Sequence, residues 1–245
     1  MTTLSVKREM RVRRDLEEVS RAVAEFFCEV AGEAVQAAGE FFVTLSGGST
    51  PRRMYEILAS DDYRGRVPWS KTQLFWSDER CVPPDDPQSN YRMVTEALAA
   101  IAIPPLNVHR MRGEDSPEEA AREYESELRQ TFRLSSNDVP RFDLILLGLG
   151  EDGHTASLFP GTSALEEANR SVAANFVEKL KTYRLTLTFP VINNAANVAF
   201  LVAGAGKQAI LHRVLEEPGD SLPAQRVRPH DGRLLWFVDE AAAGR

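Results

Sequence analysis

Cysteine is almost missing from this chain: two occur in 245 residues, Cys28 in a helical pattern and Cys81 in a loop, with no CxxC and no Cys/His cluster. Such usage supports neither a disulfide framework nor a zinc site, and it points to a reducing cytoplasm. No run reaches the ~18 apolar residues of a membrane span, and the polar opening MTTLSVKREMRVRRDLEE lacks the apolar core of a signal peptide. There is no basic block either. With 29 basic and 36 acidic residues the net charge is -7, which argues against nucleic acid or an anionic membrane as partner. An anionic ligand would have to find its positive charge in a few placed residues. Repeats, low-complexity tracts and a clear linker are also lacking, so residues 1–245 read as one domain. The absence of a G-x-S-x-G elbow argues against a serine hydrolase.

What is present is an ordinary globular composition, 43% hydrophobic and 27% charged, and a succession of strand and helix patterns. Val19, Val23, Phe26, Phe27, Val30 and Val35 have the spacing of one amphipathic helix over 15–38, which Gly39 ends. A strand over 41–45 runs into Ser46, Gly47, Gly48, Ser49, Thr50 and Pro51, then a helix over 52–58. Two glycines, two hydroxyls and a proline at a helix start can aim free N–H groups at an anion. The same residues could simply cap the helix. Strand 72–77 ends in the charged loop Asp78, Glu79, Arg80, and a proline-rich loop then leads to Asn90, Arg92 and a short helix. Segment 107–111 reads as a possible strand and 117–132 as a helix. Strands are expected at 171–176, 184–189, 197–203 and 234–238. Lys207 stands at the start of a helix over 207–216, where a cation is normally unfavourable. Strands alternating with helices predict an α/β fold, a doubly wound, mostly parallel, Rossmann-like sheet with helices on both faces.

The stretch FDLILLGLGEDGHTASLFPG, residues 142–161, organises the rest. Leu144 to Leu147 read as a strand buried on both faces, and Gly148, Gly150 and Gly153 then turn the chain at the strand's carboxyl end, where open α/β sheets place ligands. The glycines satisfy G-x-G-x-x-G, but Glu151 and Asp152 would repel a pyrophosphate, and no acid stands in 171–176 to hold a ribose. Asp152 and His154 suit a catalytic pair instead, since imidazole can take a proton from water and return it. His109, His212 and His230 read as surface or core residues.

Together LSGGSTP (45–51), WSDERCVP (76–83), SNYR (89–92), LLGLGEDGHTASLFPG (146–161), RLTLTFPVIN (184–193) and GAGK (204–207) resemble the 6-phosphogluconolactonase family, over nearly the whole chain and in order. The resemblance implies hydrolysis of a sugar-phosphate lactone without metal or cofactor. His154 would be the general base with Asp152 orienting it; Ser46 to Thr50, Lys207 and Arg184 would hold the phosphate, and Asp78, Arg80 and Arg92 would join the substrate site or hold its loop. The expected partner is a small sugar phosphate, and the expected state a monomer or small homo-oligomer. The related glucosamine-6-phosphate deaminases continue past the histidine with an acid, and here Ser157-Leu-Phe-Pro160 has none. A regulator that binds sugar phosphate without chemistry and an NAD-linked oxidoreductase are the other readings.

Overall fold

Near-continuous apolar runs along the central strands set the architecture, because such strands must bury both of their faces. In the computed structural model, which describes residues 8–136 and 138–245, the chain runs β1 (Arg8–Arg13), α1 (Leu16–Ala38), β2 (Phe41–Leu45), α2 (Ser49–Leu58), β3 (Thr72–Trp76), β4 (Asp78–Arg80), α3 (Asn90–Ala97), α4 (Pro117–Thr131) and β5 (Leu144–Gly148). It continues with β6 (Val172–Val177), β7 (Thr182–Leu187), α5 (Phe189–Ile192), β8 (Asn197–Val202), α6 (Gln208–Glu216), β9 (Arg233–Asp239) and α7 (Glu240–Ala243). Six strands form a wholly parallel sheet in the order β1-β9-β8-β5-β2-β3.

Helices cover both faces, as expected. Phe41, Val43, Leu45, Leu144, Leu146, Leu201 and Phe237 pack against α1, α2 and α3. Their sequence neighbours Ile145, Leu147, Phe200, Val202, Trp236 and Val238 pack against α4, α6 and a second small sheet. Each fully buried Val, Leu or Phe contributes about 1.5–3 kcal/mol relative to exposure. Asp15 caps α1 by accepting the Glu18 N–H at 3.0 Å, and Gly39 closes it in the left-handed region at φ 85. No helix among the described residues is long and apolar enough to cross a membrane.

Several details depart from the sequence reading. Residues 78–80, expected to be a loop, form the strand β4. It joins β7 and β6 in a separate antiparallel sheet in the order β4-β7-β6, so the strands expected at 171–176 and 184–189 lie outside the main sheet. The second of them stops at Leu187, and Phe189 opens α5 instead. Segment 107–111 is not a strand: Val108 makes a single bridge to Leu74, and His109 donates its N–H to Leu74 O at 2.8 Å. Pro104 and Pro105, with no N–H to offer a ladder, lead instead into a 3-10 turn. At the opposite edge β1, whose charged sequence REMRVR has no apolar run, is added beside β9.

The chain moves from β2 to β3 in one direction and then places β5, β8 and β9 on the other side of β2. The direction of winding thus reverses between β2 and β5, which opens a crevice at their carboxyl ends.

Candidate active site

Three of those carboxyl ends lead into loops that line one cleft of about 720 Å³. After β2, the Ser46 backbone is clamped by the fully buried Tyr55, whose hydroxyl accepts the Ser46 N–H at 2.9 Å and donates to the Ser46 carbonyl at 3.0 Å. Gly47 admits no side chain, because a Cβ there would lie 1.9 Å from Asn90 Oδ1. Gly48, at φ 112, starts α2 without any side-chain cap. The Ser49 and Thr50 N–H groups therefore keep no partner within the helix, and the positive end of its dipole faces the cleft.

Asn90, which presses on Gly47, is held in turn. Its amide donates to Asp78 O at 2.9 Å and its N–H to Glu79 Oε1 at 2.8 Å. Glu79 is buried and also accepts from the Tyr91 N–H, the Arg80 N–H and Ser89 Oγ at 2.7–3.0 Å. Burial raises its carboxyl above the ordinary value, against the pull of those backbone donors. Glu79 thus fastens the start of α3 to the cleft. Asp78 lines the cleft and accepts from Ser157 Oγ at 2.7 Å.

Two residues beyond Asp78 on the same strand, Arg80 pairs in register with Arg184 across β4 and β7, and both line the cleft with Lys207. Burial, joined by the neighbouring Arg80 charge, pulls the Arg184 guanidinium below its ordinary value. Among the described residues none of the three cations has a carboxylate within ion-pair distance, whereas Lys179 in the same cleft is paired with Asp152 and other arginines pair with carboxylates over the surface. Like charges opposed across a ladder are unfavourable, so the arrangement is one that an anion would relieve. Arg92 stands apart: its guanidinium binds Glu96 at 2.7 Å and the Asp85 carbonyl at 2.6 Å, and it does not line the cleft.

The loop after β5 carries the imidazole. Gly150 and Gly153 close a tight turn, with the Gly153 N–H on Gly150 O at 3.0 Å and the Gly150 N–H on His154 O at 2.8 Å. A Cβ at Gly150 would meet His154 Nδ1 at 2.0 Å, so the ring lies directly on that glycine. Phe159 stacks on the imidazole with centroids 4.0 Å apart. Asp152 Oδ1 lies 2.5 Å from His154 Nδ1 and accepts the His154 N–H at 3.2 Å, while its Oδ2 holds the Lys179 ammonium. Burial acts to raise the Asp152 carboxyl, but the bonds from Lys179 and His154 outweigh it and bring it down to about 2. The ionised carboxylate can only accept, so in the neutral imidazole Nδ1 carries the proton and Nε2 the lone pair.

The sequence reading gave no site role to Lys179 or Ala156, both of which line the cleft. Lys179 comes from the turn between β6 and β7, and nothing in its own charged segment marks it. Ala156 lines the cleft at φ 47, a left-handed conformation that costs a non-glycine residue roughly 1–2 kcal/mol. Of the other histidines, His109 is a buried structural residue, stacked on Phe75 and bonded to Glu127 and Gln73.

Comparison with known proteins adds lineage to this geometry. Residues 14–236 match the family model described as glucosamine-6-phosphate isomerases/6-phosphogluconolactonase. The chain is 44% identical over 214 residues to a 6-phosphogluconolactonase from Synechocystis sp., covering 86% of each chain. It is 37% identical to a probable 6-phosphogluconolactonase 1 from Arabidopsis thaliana, covering 97% of this chain and 93% of the relative. The solved 6-phosphogluconolactonase of Trypanosoma brucei superposes with a TM-score of 0.87 at 30% identity, covering 98% of this chain and 99% of that one.

Proposed function

The chain belongs to the glucosamine-6-phosphate isomerase/6-phosphogluconolactonase family, and from that premise we propose that it hydrolyses 6-phospho-D-glucono-1,5-lactone to 6-phospho-D-gluconate in the oxidative pentose phosphate pathway. The observation that carries the reading is the meeting, in one cleft, of an imidazole tied to an ionised carboxylate and three cations without carboxylate partners among the described residues. The cations and the bare N–H groups of α2 suit a phosphate dianion. His154 Nε2 suits water.

In this mechanism His154 Nε2 takes a proton from water as the oxygen attacks the lactone carbonyl. Negative charge gathers on the carbonyl oxygen of the tetrahedral intermediate, where a neighbouring cation or N–H group stabilises it. The intermediate collapses with cleavage of the bond from C1 to the ring oxygen, which receives the proton back from the imidazolium. Asp152 orients the ring throughout. Ser46, Gly47, Gly48, Ser49, Thr50, Arg184 and Lys207 bind the phosphate, with Asp78 and Arg80 beside the sugar. Arg92, turned to Glu96, is assigned to the loop instead. We read residues 1–245 as one catalytic domain working as a monomer or small homo-oligomer. Two unpaired cysteines favour a reducing, cytoplasmic setting.

Acid release from freshly generated lactone, measured against its spontaneous hydrolysis, tests the activity; a rate equal to background would sink it. Glucosamine 6-phosphate tests the family's other chemistry. Ring opening and proton transfer from C2 ask for an acid beyond the histidine, whereas Thr155 to Pro160 supply hydroxyl and apolar side chains only. No ammonia is expected, and ammonia release at a rate comparable with lactone hydrolysis would reverse the assignment.

A further inference from the structure

Lys179 belongs to no helix face or strand pattern, yet its ammonium reaches from the turn between β6 and β7 to Asp152 Oδ2. The same Nζ lies 4.8 Å from the centroid of the Phe159 ring, which stacks on His154. His154, Asp152, Lys179 and Phe159 thus close a ring of contacts, each member touching the next. An ion pair at an exposed surface contributes at most about 1 kcal/mol to stability, and the Lys179 side chain is 53% exposed. Its geometry makes more sense in relation to the imidazole. With Oδ2 held by Lys179, the carboxylate has one oxygen left for the Nδ1–H, and the ring can neither swing nor exchange tautomers without breaking the closed circuit.

We propose that Lys179 is a positioning residue for the His154–Asp152 pair: it fixes the carboxylate that orients the imidazole and offsets that carboxylate's negative charge. The inference rests on the lactonase reading of the cleft. Around the imidazole the charged neighbours in contact are Asp152 from its own loop and, through Asp152, Lys179 from the β6–β7 turn; Phe159 contributes an apolar face. Glu151, Asp78, Arg80, Arg184 and Lys207 line the remainder of the cleft.

The variants Lys179→Met and Lys179→Arg separate positioning from substrate contact. Methionine keeps much of the side-chain bulk beside Phe159 and removes the charge; arginine keeps the charge. With the lactone as substrate, Lys179→Met should lower kcat by about tenfold, less than the loss of the base itself. It should change KM by less than about twofold. The acid limb of its pH profile should move upward, because removing the cation leaves the Asp152 carboxylate unopposed beside the imidazole. Lys179→Arg should restore both the rate and the limb. An unchanged pH limb in Lys179→Met, or a KM that rises while kcat holds, would overturn the proposal in favour of a surface or substrate-binding role. If the wild-type chain hydrolyses no lactone, it is the functional reading that fails; if the wild type is active and only the variant behaves otherwise, this inference fails alone.

Discussion

One imidazole nitrogen is tied to a carboxylate and the other faces an open cleft, so most of the chemistry should disappear with that single ring. His154→Ala is expected to lower kcat by at least ~100-fold, with the circular dichroism spectrum and melting temperature kept; near-normal turnover would remove the residue from the mechanism. Wild-type activity should also fall on acidification, because a protonated imidazole cannot accept a second proton. Asp152 has its own signature in stability. Its folded-state carboxyl is brought down to about 2, below the ~3.9 of an unfolded chain, so the ionised form favours folding. That contribution is present above about pH 4 and drains away as pH falls towards 2. Asp152→Asn should consequently melt below wild type at neutral pH, and the gap should narrow across that acid window. A gap that stays constant from pH 6 to pH 2 would contradict the ionic account. At this scale the glycine turn after a buried strand is the sequence feature that marks Asp152 and His154. Lys179 escaped because it is distant in sequence and its role depends on a contact that only folding creates.

Among the elements, the pairing of β4 with β7 is the least comfortable, since it sets Arg80 against Arg184. Opposed like charges on a ladder cost about 0.2–1 kcal/mol, and partial burial adds to the discomfort of Arg184. Arg184→Leu should therefore raise the melting temperature of the free protein by about 1–3 °C for a chain of this size. The same substitution should shrink the further rise produced by 6-phosphogluconate, which differential scanning fluorimetry can follow with and without the ligand. A lower melting temperature together with an intact ligand response would show Arg184 to be a structural residue. The small sheet also explains where reading the sequence alone went astray. Alternation at 184–189 signals a strand but not which sheet receives it, and three charged residues at 78–80 look like loop until β7 supplies a partner. β1 was invisible for the converse reason: at an edge, beside one neighbour, a charged strand needs no apolar run and is better protected from pairing with other molecules. The buried strands β2, β5, β8 and β9 could be read because both of their faces must be apolar.

For the molecule as a whole, a net charge of -7 and a cleft holding three cations with no carboxylate partner among the described residues oppose one another in attracting a sugar phosphate dianion. In the cleft itself Arg80, Lys179, Arg184 and Lys207 outnumber the carboxylates Asp78, Glu151 and Asp152, and charges farther away than the Debye length of about 8 Å at physiological salt are largely screened. The local field should win. KM for the lactone is then expected to rise with ionic strength between roughly 0.05 and 0.5 M, and a KM that falls instead would mean that overall repulsion governs capture. The order β1-β9-β8 carries one more consequence, which concerns time. β1 has β9 as its sole partner in the sheet, and about 220 residues of chain separate them. At about 5–20 residues per second a ribosome needs roughly 10–45 s to bridge that interval, during which the first strand made has nowhere to pair. Its four charges out of six residues keep it soluble while it waits. A premature stop within β9 would accordingly undo two strands: β1 would lose its sole neighbour and β8 would become a bare apolar edge.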